Sequence, residues 1–392
     1  MTMTLLNKFE LLEETLNDEI YERGQEIHTA VLALLSRKHH FQIGPPGTAK
    51  SLLIDRLTKR ISDLGEDGYF RWLLTNYTTP EELFGGPDFN LLREKGVYKR
   101  VTERKLPRAY IGFADEIFKA NSSILNTNLT LMNERKFFNA DDDPNAPLMS
   151  LYSASNELPS GDALWALWDR LHFRHEIKPM QETTSFMNML TKSMVEEPEP
   201  ILSLQDLIDG QAAVEAVVIP SEVFETVKTL RDDLRKDGIE ATERRWKECV
   251  GVIKAEAFMN GREIADIEDM RPLMHVLWSD IDNQIPVKRR VLELANPIDK
   301  EAYDILEKLL GLEHDFKNIV QDGDNQKSVA KQAIEIHQKV MKTKGAMNKL
   351  RDQQKLSGRK SEYLELAQNK FVFLAKAVMK EGFSVDADDI TA

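Results

Sequence analysis

Eight consecutive residues, GPPGTAKS at Gly44–Ser51, combine the types that hold phosphate: glycines, a lysine and a hydroxyl at the mouth of a helix. They sit between the apolar Phe41–Ile43 and the helix-like SLLIDRLTKR. A glycine-rich turn from strand to helix keeps side chains out of the way, so backbone N–H groups and the positive helix end converge on an anion. In such a cradle Gly44, Pro45, Pro46, Gly47, Thr48, Ala49, Lys50, Ser51 and Leu52 surround a nucleotide, with Lys50 at the β/γ-phosphates and the Ser51 hydroxyl on Mg²⁺. Ala49 stands where glycine is usual. As a helix-opening residue it is expected at negative φ, where a methyl group is tolerated.

About 65 residues on, Tyr110–Ala114 reads as a short strand, weakened by Gly112 and ending in Asp115-Glu116. In that arrangement Asp115 binds Mg²⁺ through water and Glu116 polarises the attacking water. The plainer reading is a polar strand end. A further strand, Met149–Ala154, carries Asn156 to the same edge of a parallel sheet, where ligands bind outside the carboxyl ends of strands. An amide there can hold the water opposite the γ-phosphate, although Asn156 in SASNELP also reads as a turn residue.

These residues need a scaffold, and the pattern supplies one. Candidate strands at Phe41–Ile43, Tyr69–Leu74, Tyr110–Ala114, Met149–Ala154 and Phe173–Ile177 alternate with helical segments over 51–63 and 117–132. That alternation defines an α/β fold, a parallel sheet flanked by helices. Residues 8–36 precede it with one helical period that puts Ile20, Ile27, Val31 and Leu34 on a face. The nucleotide-binding domain is expected over 1–190. After the charged linker MVEEPEPILS the pattern becomes purely helical, an all-α lid over 191–290. Its stripes are Val223, Val227, Leu230, Leu234, then Trp246, Val250, Ile253, Ala257 ending at Asn260-Gly261, then Met270, Leu273, Val276, Leu277.

Residues 291–392 form a third expected unit, a C-terminal helical module. Ile305, Leu309, Leu312, Phe316 and Ile319 make one stripe and Val329, Ala333, Ile336 and Val340 another, across the turn QDGDN. A third helix runs through YLELAQNKFVFLAKAVMK to a frayed VDADDITA. With only a few heptads available, an intramolecular bundle is favoured over an intermolecular coiled coil.

Composition excludes several classes. A chain of 392 residues that is 42% hydrophobic and 30% charged is globular, with room for two or three domains. Its single cysteine, Cys249, excludes a disulfide framework and a multi-cysteine zinc site, and nothing nearby activates the thiol. The start MTMTLLNKFE has neither a basic n-region nor an apolar h-region, and no apolar run approaches the ~20 residues of a membrane span, so a cytoplasmic protein is expected. A net charge of −13 argues against general nucleic-acid binding. The exception is a local basic cluster: Lys95, Tyr98, Lys99, Arg100, Arg104 and Lys105. His172 and His175, like His39 and His40, point to opposite faces of strands and make no metal pair.

In order and spacing, Gly44–Ser51, Asp115-Glu116, Asn156, Arg170 and Arg244, ahead of a helical lid, resemble the AAA+ ATPases. The strings YERGQEIHTAVLALLS, TTPEELFGGPDF, GVYKRVTERKLPRAYIGFADEIFKA, ILNTNLTLMNERKF and SASNELP narrow the resemblance to the MoxR group, especially its RavA branch. It covers roughly residues 8–285. The long RavA tail with its inserted β-rich domain has no counterpart here.

The resemblance implies roles. Lys50 and Ser51 correspond to the Walker A lysine and Mg²⁺ ligand, Asp115 and Glu116 to the Walker B pair, and Asn156 to sensor 1. Arg170, with Arg174 as the alternative, falls at the arginine finger that reaches a neighbouring subunit. Arg244, with Arg245 as the alternative, falls at sensor 2, and Tyr21 in YERGQE falls where the family contacts adenine. Residues 85–105 and Arg135–Pro147, the latter containing an acidic loop over 140–144, correspond to hairpins that face the pore. The family implies ATP and Mg²⁺ as cofactors, a homo-hexameric ring, a von Willebrand factor A (vWA) adaptor and a remodelled protein client. An MCM-like nucleic-acid motor and a nucleotide-binding scaffold without turnover are the alternatives.

Overall fold

Five short apolar segments become the parallel strands β1 (His40–Ile43), β2 (Tyr69–Leu73), β3 (Ile111–Asp115), β4 (Ser150–Ser155) and β5 (Phe173–Glu176). In the computed structural model, which describes residues 3–140, 142–159, 162–192, 197–322, 326–357 and 361–383, they form one sheet in the order β2-β3-β4-β1-β5. Both neighbours of β1 were formed from distant sequence, so every connection crosses over, as parallel pairing requires. The chain divides into two units, Met1–Lys288 and Arg289–Ala392.

Register brings the motifs together. Ile43 lies opposite Ser155, so Gly44 and Asn156 are the next residues out on adjacent strands. Asp115 lies opposite Ala154, which sets Glu116 beside them. Below that edge β1, β3, β4 and β5 are buried on both faces, while the edge strand β2 is partly exposed. The Phe41 ring meets Phe118 at 5.3 Å and Trp168 at 5.1 Å, and burying each such side chain contributes about 1.5–3 kcal/mol. Gly112, a weak strand former, has a packing reason for its place: a Cβ there would lie 2.8 Å from Leu106 and Leu151 side-chain carbons.

The expected single helix over 8–36 is two, Leu5–Glu19 and Gly24–Ser36. Tertiary contacts fix the break. Glu22 takes φ +58°, its carboxylate accepts from the Gln181 and Glu182 amides at 2.8 and 3.0 Å, and Arg23 donates to the Lys178 carbonyl. The second helix then buries Ile27, Val31 and Leu34 together with half of its other residues.

The lid helices span Leu204–Ala216, Ser221–Lys236 and Glu243–Met259, followed by a 3-10 segment, Ile267–His275. At the end of the linker, Leu202–Ser203 pairs in parallel with Ile61–Ser62. On Glu243–Met259 the expected Ile253 and Ala257 are buried and Trp246 and Val250 half-buried, while the buried face also takes in Arg245, Cys249, Val252 and Glu256. The apolar pattern missed Arg245 and Glu256 because both are charged. Of the linker MVEEPEPILS, residues 194–196 lie outside the described residues.

In the second unit three long helices, Pro297–Asp322, Gln326–Ser357 and Glu362–Phe383, pack as a bundle. Leu309, Leu312, Phe316, Ala333, Ile336 and Val340 are in its core, while Ile305 and Ile319 are half-buried. Ser361 and Asp299 are hydrogen-bonded and the Tyr303 and Tyr363 rings meet edge-on at 5.2 Å, tying the first helix to the third. The Val329 side chain, most of the turn QDGDN and the segment VDADDITA lie outside the described residues. Among the described residues no helix is long and apolar enough to cross a membrane.

Candidate active site

The loop from β1 to the helix Lys50–Lys59 alternates backbone handedness: Gly47 has φ +80° and Ala49 φ +65°. Ala49 is therefore not at the negative φ expected of it. It is the residue before the helix, in the left-handed conformation that costs a non-glycine residue about 1–2 kcal/mol. Such alternation turns successive N–H groups toward one point, and the first turn of the helix adds its own free amides. A Cβ built on Gly47 meets nothing within 4 Å, so the space before the loop is open. Thr48 Oγ1 bonds back to the Pro45 carbonyl, while Ser51 and Leu52 are half-buried in the first turn.

Lys50 is 9% exposed. Its ammonium donates to the carbonyls of Gly44 and Pro45 at 2.6 and 2.9 Å and to Asn156 Oδ1 at 3.1 Å. Burial draws its pKa down from the usual lysine range, against the pull of Asp115 and Glu116. Asn156 in turn donates from Nδ2 to Glu116 Oε1 at 2.5 Å. Asp115 ends β3, and its carboxylate accepts from the Glu116 amide at 3.1 Å. Burial raises its pKa, which the Lys50 charge partly offsets. Lys50, Asp115, Glu116 and Asn156 are thus brought into one group.

Tyr21 lies half-buried in the turn between the first two helices. The segment after β5 links that turn to the loop: a Cβ on Gly44 would lie 2.4 Å from the Ile177 carbonyl, and the next carbonyl, of Lys178, accepts from Arg23.

The arginines form a second group. Asp169 is its centre. Arg244 and Arg245 approach the Asp169 carboxylate at 3.6 and 3.5 Å, and Thr242 donates to it at 2.8 Å. Arg170 is half-buried, its pKa lowered by burial and by the charge of Arg244 beside it. The two alternatives behave differently. Arg174 is fully buried, stacked 4.0 Å over Trp168, and spends its donors on the carbonyls of Trp168, Leu171 and Trp278. Arg245, 1% exposed, spends its donors on the carbonyls of Val276 and Asp169. Asp169 was not singled out from sequence, although an acid flanked by an arginine in WDRLHFR is the signal it leaves.

The two insertions pack on each other. The amide of Arg100 donates to Asn139 Oδ1 at 2.7 Å, Asn139 returns a bond to the Arg100 carbonyl, and Lys99 pairs with Asp142 at 2.6 Å. Arg104 pairs with Glu66 and Lys105 donates to the Glu82 carbonyl, so much of the expected basic cluster is already engaged. Phe89, Tyr98 and Phe138 are exposed there, Phe89 to 74%. Asp141 of the acidic loop lies outside the described residues.

His39 and His40 turn to opposite sides of the sheet. His39 meets His172 at 5.8 Å between ring centres, and His40 stacks on His175, which stacks on His275 at 4.3 Å. Burial holds all five below the ordinary histidine range. Cys249 is buried and its thiol is pushed up to about 12 by burial. Among the described residues no His, Cys, Asp or Glu cluster is arranged to hold a metal ion by itself.

Comparison with known proteins gives the same class. Residues 7–210 match a family model described as the MoxR domain in MoxR–vWA–β-propeller ternary systems, and residues 222–291 match an AAA lid domain. An uncharacterized protein of Methanocaldococcus jannaschii is 33% identical over 92% of this chain and 94% of its own length. A second from that organism is 34% identical over 80% of this chain and 83% of its own. A structural protein of Acidianus two-tailed virus is 25% identical over 68% of this chain and 41% of its own. The crystal structure of a candidate ATPase from Cytophaga hutchinsonii superposes with a TM-score of 0.58 at 17% identity, over 74% of this chain and 95% of that one, a likeness of fold. The parallel sheet, phosphate loop and helical lid define an AAA+ ATPase. This chain belongs to the MoxR family of AAA+ ATPases. The family model names the vWA and β-propeller systems, and the RavA branch rests on the resemblance in sequence alone.

Proposed function

We propose that the chain is a Mg²⁺-dependent ATP hydrolase that works as a homo-hexameric ring, remodelling a protein client with a vWA-domain partner. The observation that carries this reading is the chain of bonds from Lys50 through Asn156 to Glu116, which ties the phosphate loop to the residue placed to polarise water. Two left-handed residues, open space before Gly47, an ammonium, a hydroxyl at Ser51 and a carboxylate at Asp115 suit a nucleotide triphosphate with its metal. Bound Mg²⁺ would supply charge neutralisation at the β/γ-phosphates, held by Ser51 and, through water, Asp115. Lys50 holds the phosphates, Tyr21 flanks the base, Asn156 orients water and Glu116 accepts its proton.

Burial separates the arginines. Arg174 and Arg245 are buried with their donors turned to backbone carbonyls, which favours Arg170 as the finger and Arg244 as sensor 2. Both lie beside Asp169, and we assign both to the nucleotide of the adjacent subunit. The vWA partner follows from the family's description, and dependence on ATP places the work in the cytoplasm. The exposed Phe89, Tyr98 and Phe138 favour contact with a protein chain over the nucleic-acid motor, because Lys99, Arg100 and Arg104 beside them are paired with acids. A scaffold without turnover leaves the Glu116–Asn156 contact without a purpose.

Nucleotide titration and phosphate release test the reading together. Lys50→Ala should abolish ATP binding, and Glu116→Gln should keep binding while stopping turnover. Equal ATP affinity in wild type and Lys50→Ala would overturn it.

A further inference from the structure

The long helix Gln326–Ser357 carries eight basic residues, Lys327, Lys331, Lys339, Lys342, Lys344, Lys349, Arg351 and Lys355, against two acidic ones, Glu335 and Asp352. In a chain of net charge −13 this one element holds a net of +6, eight minus two. From Lys331 onward all seven cations are exposed, and none of the seven makes an ion pair or hydrogen bond among the described residues. That sets them apart from the insertion hairpins, where Lys99, Arg100 and Arg104 are paired.

Their arrangement is regular. At about 3.6 residues per turn, Lys331, Lys342 and Lys349 fall on one line, and Lys344, Arg351 and Lys355 on another. The buried line of Ala333, Ile336, Val340, Thr343, Met347 and Leu350 faces the bundle. The cationic rows border the outward side, which is occupied by Ile334, Gln338, Met341, Gly345 and Asn348 and, toward the C-terminal end, by Asp352 and Leu356. Lys331 to Lys355 spans about 36 Å of helix.

We propose that the outward face of Gln326–Ser357 is a docking surface for double-helical nucleic acid, read through its phosphates. A helix of about 10–12 Å diameter with cations on both flanks suits the two phosphate walls of a major groove about 12 Å wide. Lysines act there as point charges on backbone phosphate, without base readout. What the helix lacks decides against other polyanions. It contains no Phe, Tyr or Trp, and single strands are held by stacking on aromatic side chains. A helix that lies on an anionic membrane needs a broad apolar face, and this one spends its apolar face on the bundle core. None of the residues assigned to the nucleotide lies on this helix.

Fluorescence anisotropy with the full-length protein and a labelled 30-base-pair DNA duplex is the test. Binding is expected at 50 mM salt, weakening on the order of 10²-fold by 200 mM if about four phosphates are contacted. The triple variant Lys331→Glu/Lys342→Glu/Lys349→Glu should bind at least tenfold more weakly with a shallower salt dependence, and Lys344→Glu/Lys355→Glu should do the same. All five positions are exposed, so an unchanged melting curve and unchanged basal ATP turnover are expected and distinguish this outcome from misfolding. No duplex binding at 50 mM salt would overturn the proposal. So would equal binding by wild type and both variants, or a preference for a single strand of the same length or for phosphatidylserine vesicles.

Discussion

Asn156 donates its amide to Glu116 at 2.5 Å while its oxygen accepts from Lys50 at 3.1 Å. One side chain therefore sits between the Lys50 ammonium and the Glu116 carboxylate. Asn156→Ala should leave ATP affinity within a few-fold of wild type, because the loop and Lys50 remain. Turnover should fall on the order of 10²-fold, the scale of loss when a reacting group is misplaced by about 1 Å. A variant with normal turnover would show that Asn156 is only a turn residue.

The proximity of Arg170 and Arg244 to Asp169 makes a prediction about assembly. Lys50→Ala subunits keep both arginines but have no working nucleotide site, and Arg170→Ala subunits are the reverse. Each alone should be inactive, the second because a finger is worth about 10³–10⁵ in rate. Mixed in equal amounts they should regain ATPase activity, with Arg244→Ala substituting for Arg170→Ala in the same assay. If neither mixture exceeds the sum of its parts, the arginines do not act across a subunit boundary.

Much of this arrangement was legible in the chain. The strands, the loop at Gly44–Ser51 and the three polar strand ends could be read because apolar period and turn chemistry are local. What was missed depends on distant partners. The break at Glu22 is held by Gln181 and Glu182, and no feature of residues 8–36 announces it. The handedness of Ala49 follows from the loop as a whole. Arg170 and Arg174, or Arg244 and Arg245, are the same residue type a few positions apart, and only burial tells a surface cation from one consumed by carbonyls. The net charge of −13 likewise concealed the cationic helix Gln326–Ser357, because a sum carries no position.

Arg174 and Arg245 should behave as structural residues. Each sits in the interior with its guanidinium on backbone carbonyls, so alanine leaves several buried acceptors unpaired. A loss of about 3 kcal/mol or more is expected for either, read as a lower urea midpoint or melting temperature. Lysine should not rescue Arg174, since one ammonium replaces neither the planar stack on Trp168 nor the fork of donors. An Arg174→Ala protein of wild-type stability but without ATPase activity would instead make it the finger.

His28 ties the lid to the first helix pair and gives stability a pH dependence. Its ring nitrogens contact Glu13 at 2.9 Å and Glu256 at 2.7 Å, with Arg271 acting on Glu256 from the lid. Burial alone would draw the histidine pKa down. The two carboxylates outweigh it and hold the imidazolium well above the ordinary range near 6.5. The sign follows from the raised pKa: the contribution is complete below about pH 6.5, the unfolded value, and is lost as pH rises through the folded one. Glu256 sets the other limit. Burial raises its carboxyl, His28 and Arg271 lower it further, and the net depression makes its contribution present above about pH 4.5 and lost as the pH falls below. Between these limits two charge-assisted bonds are worth roughly 1–3 kcal/mol. Urea unfolding of the first unit from pH 6 to 9 should show wild type losing that amount, while His28→Gln starts lower and stays nearly flat. Parallel profiles for the two proteins would mean that the Glu13–His28–Glu256 contact does not couple lid and core to pH.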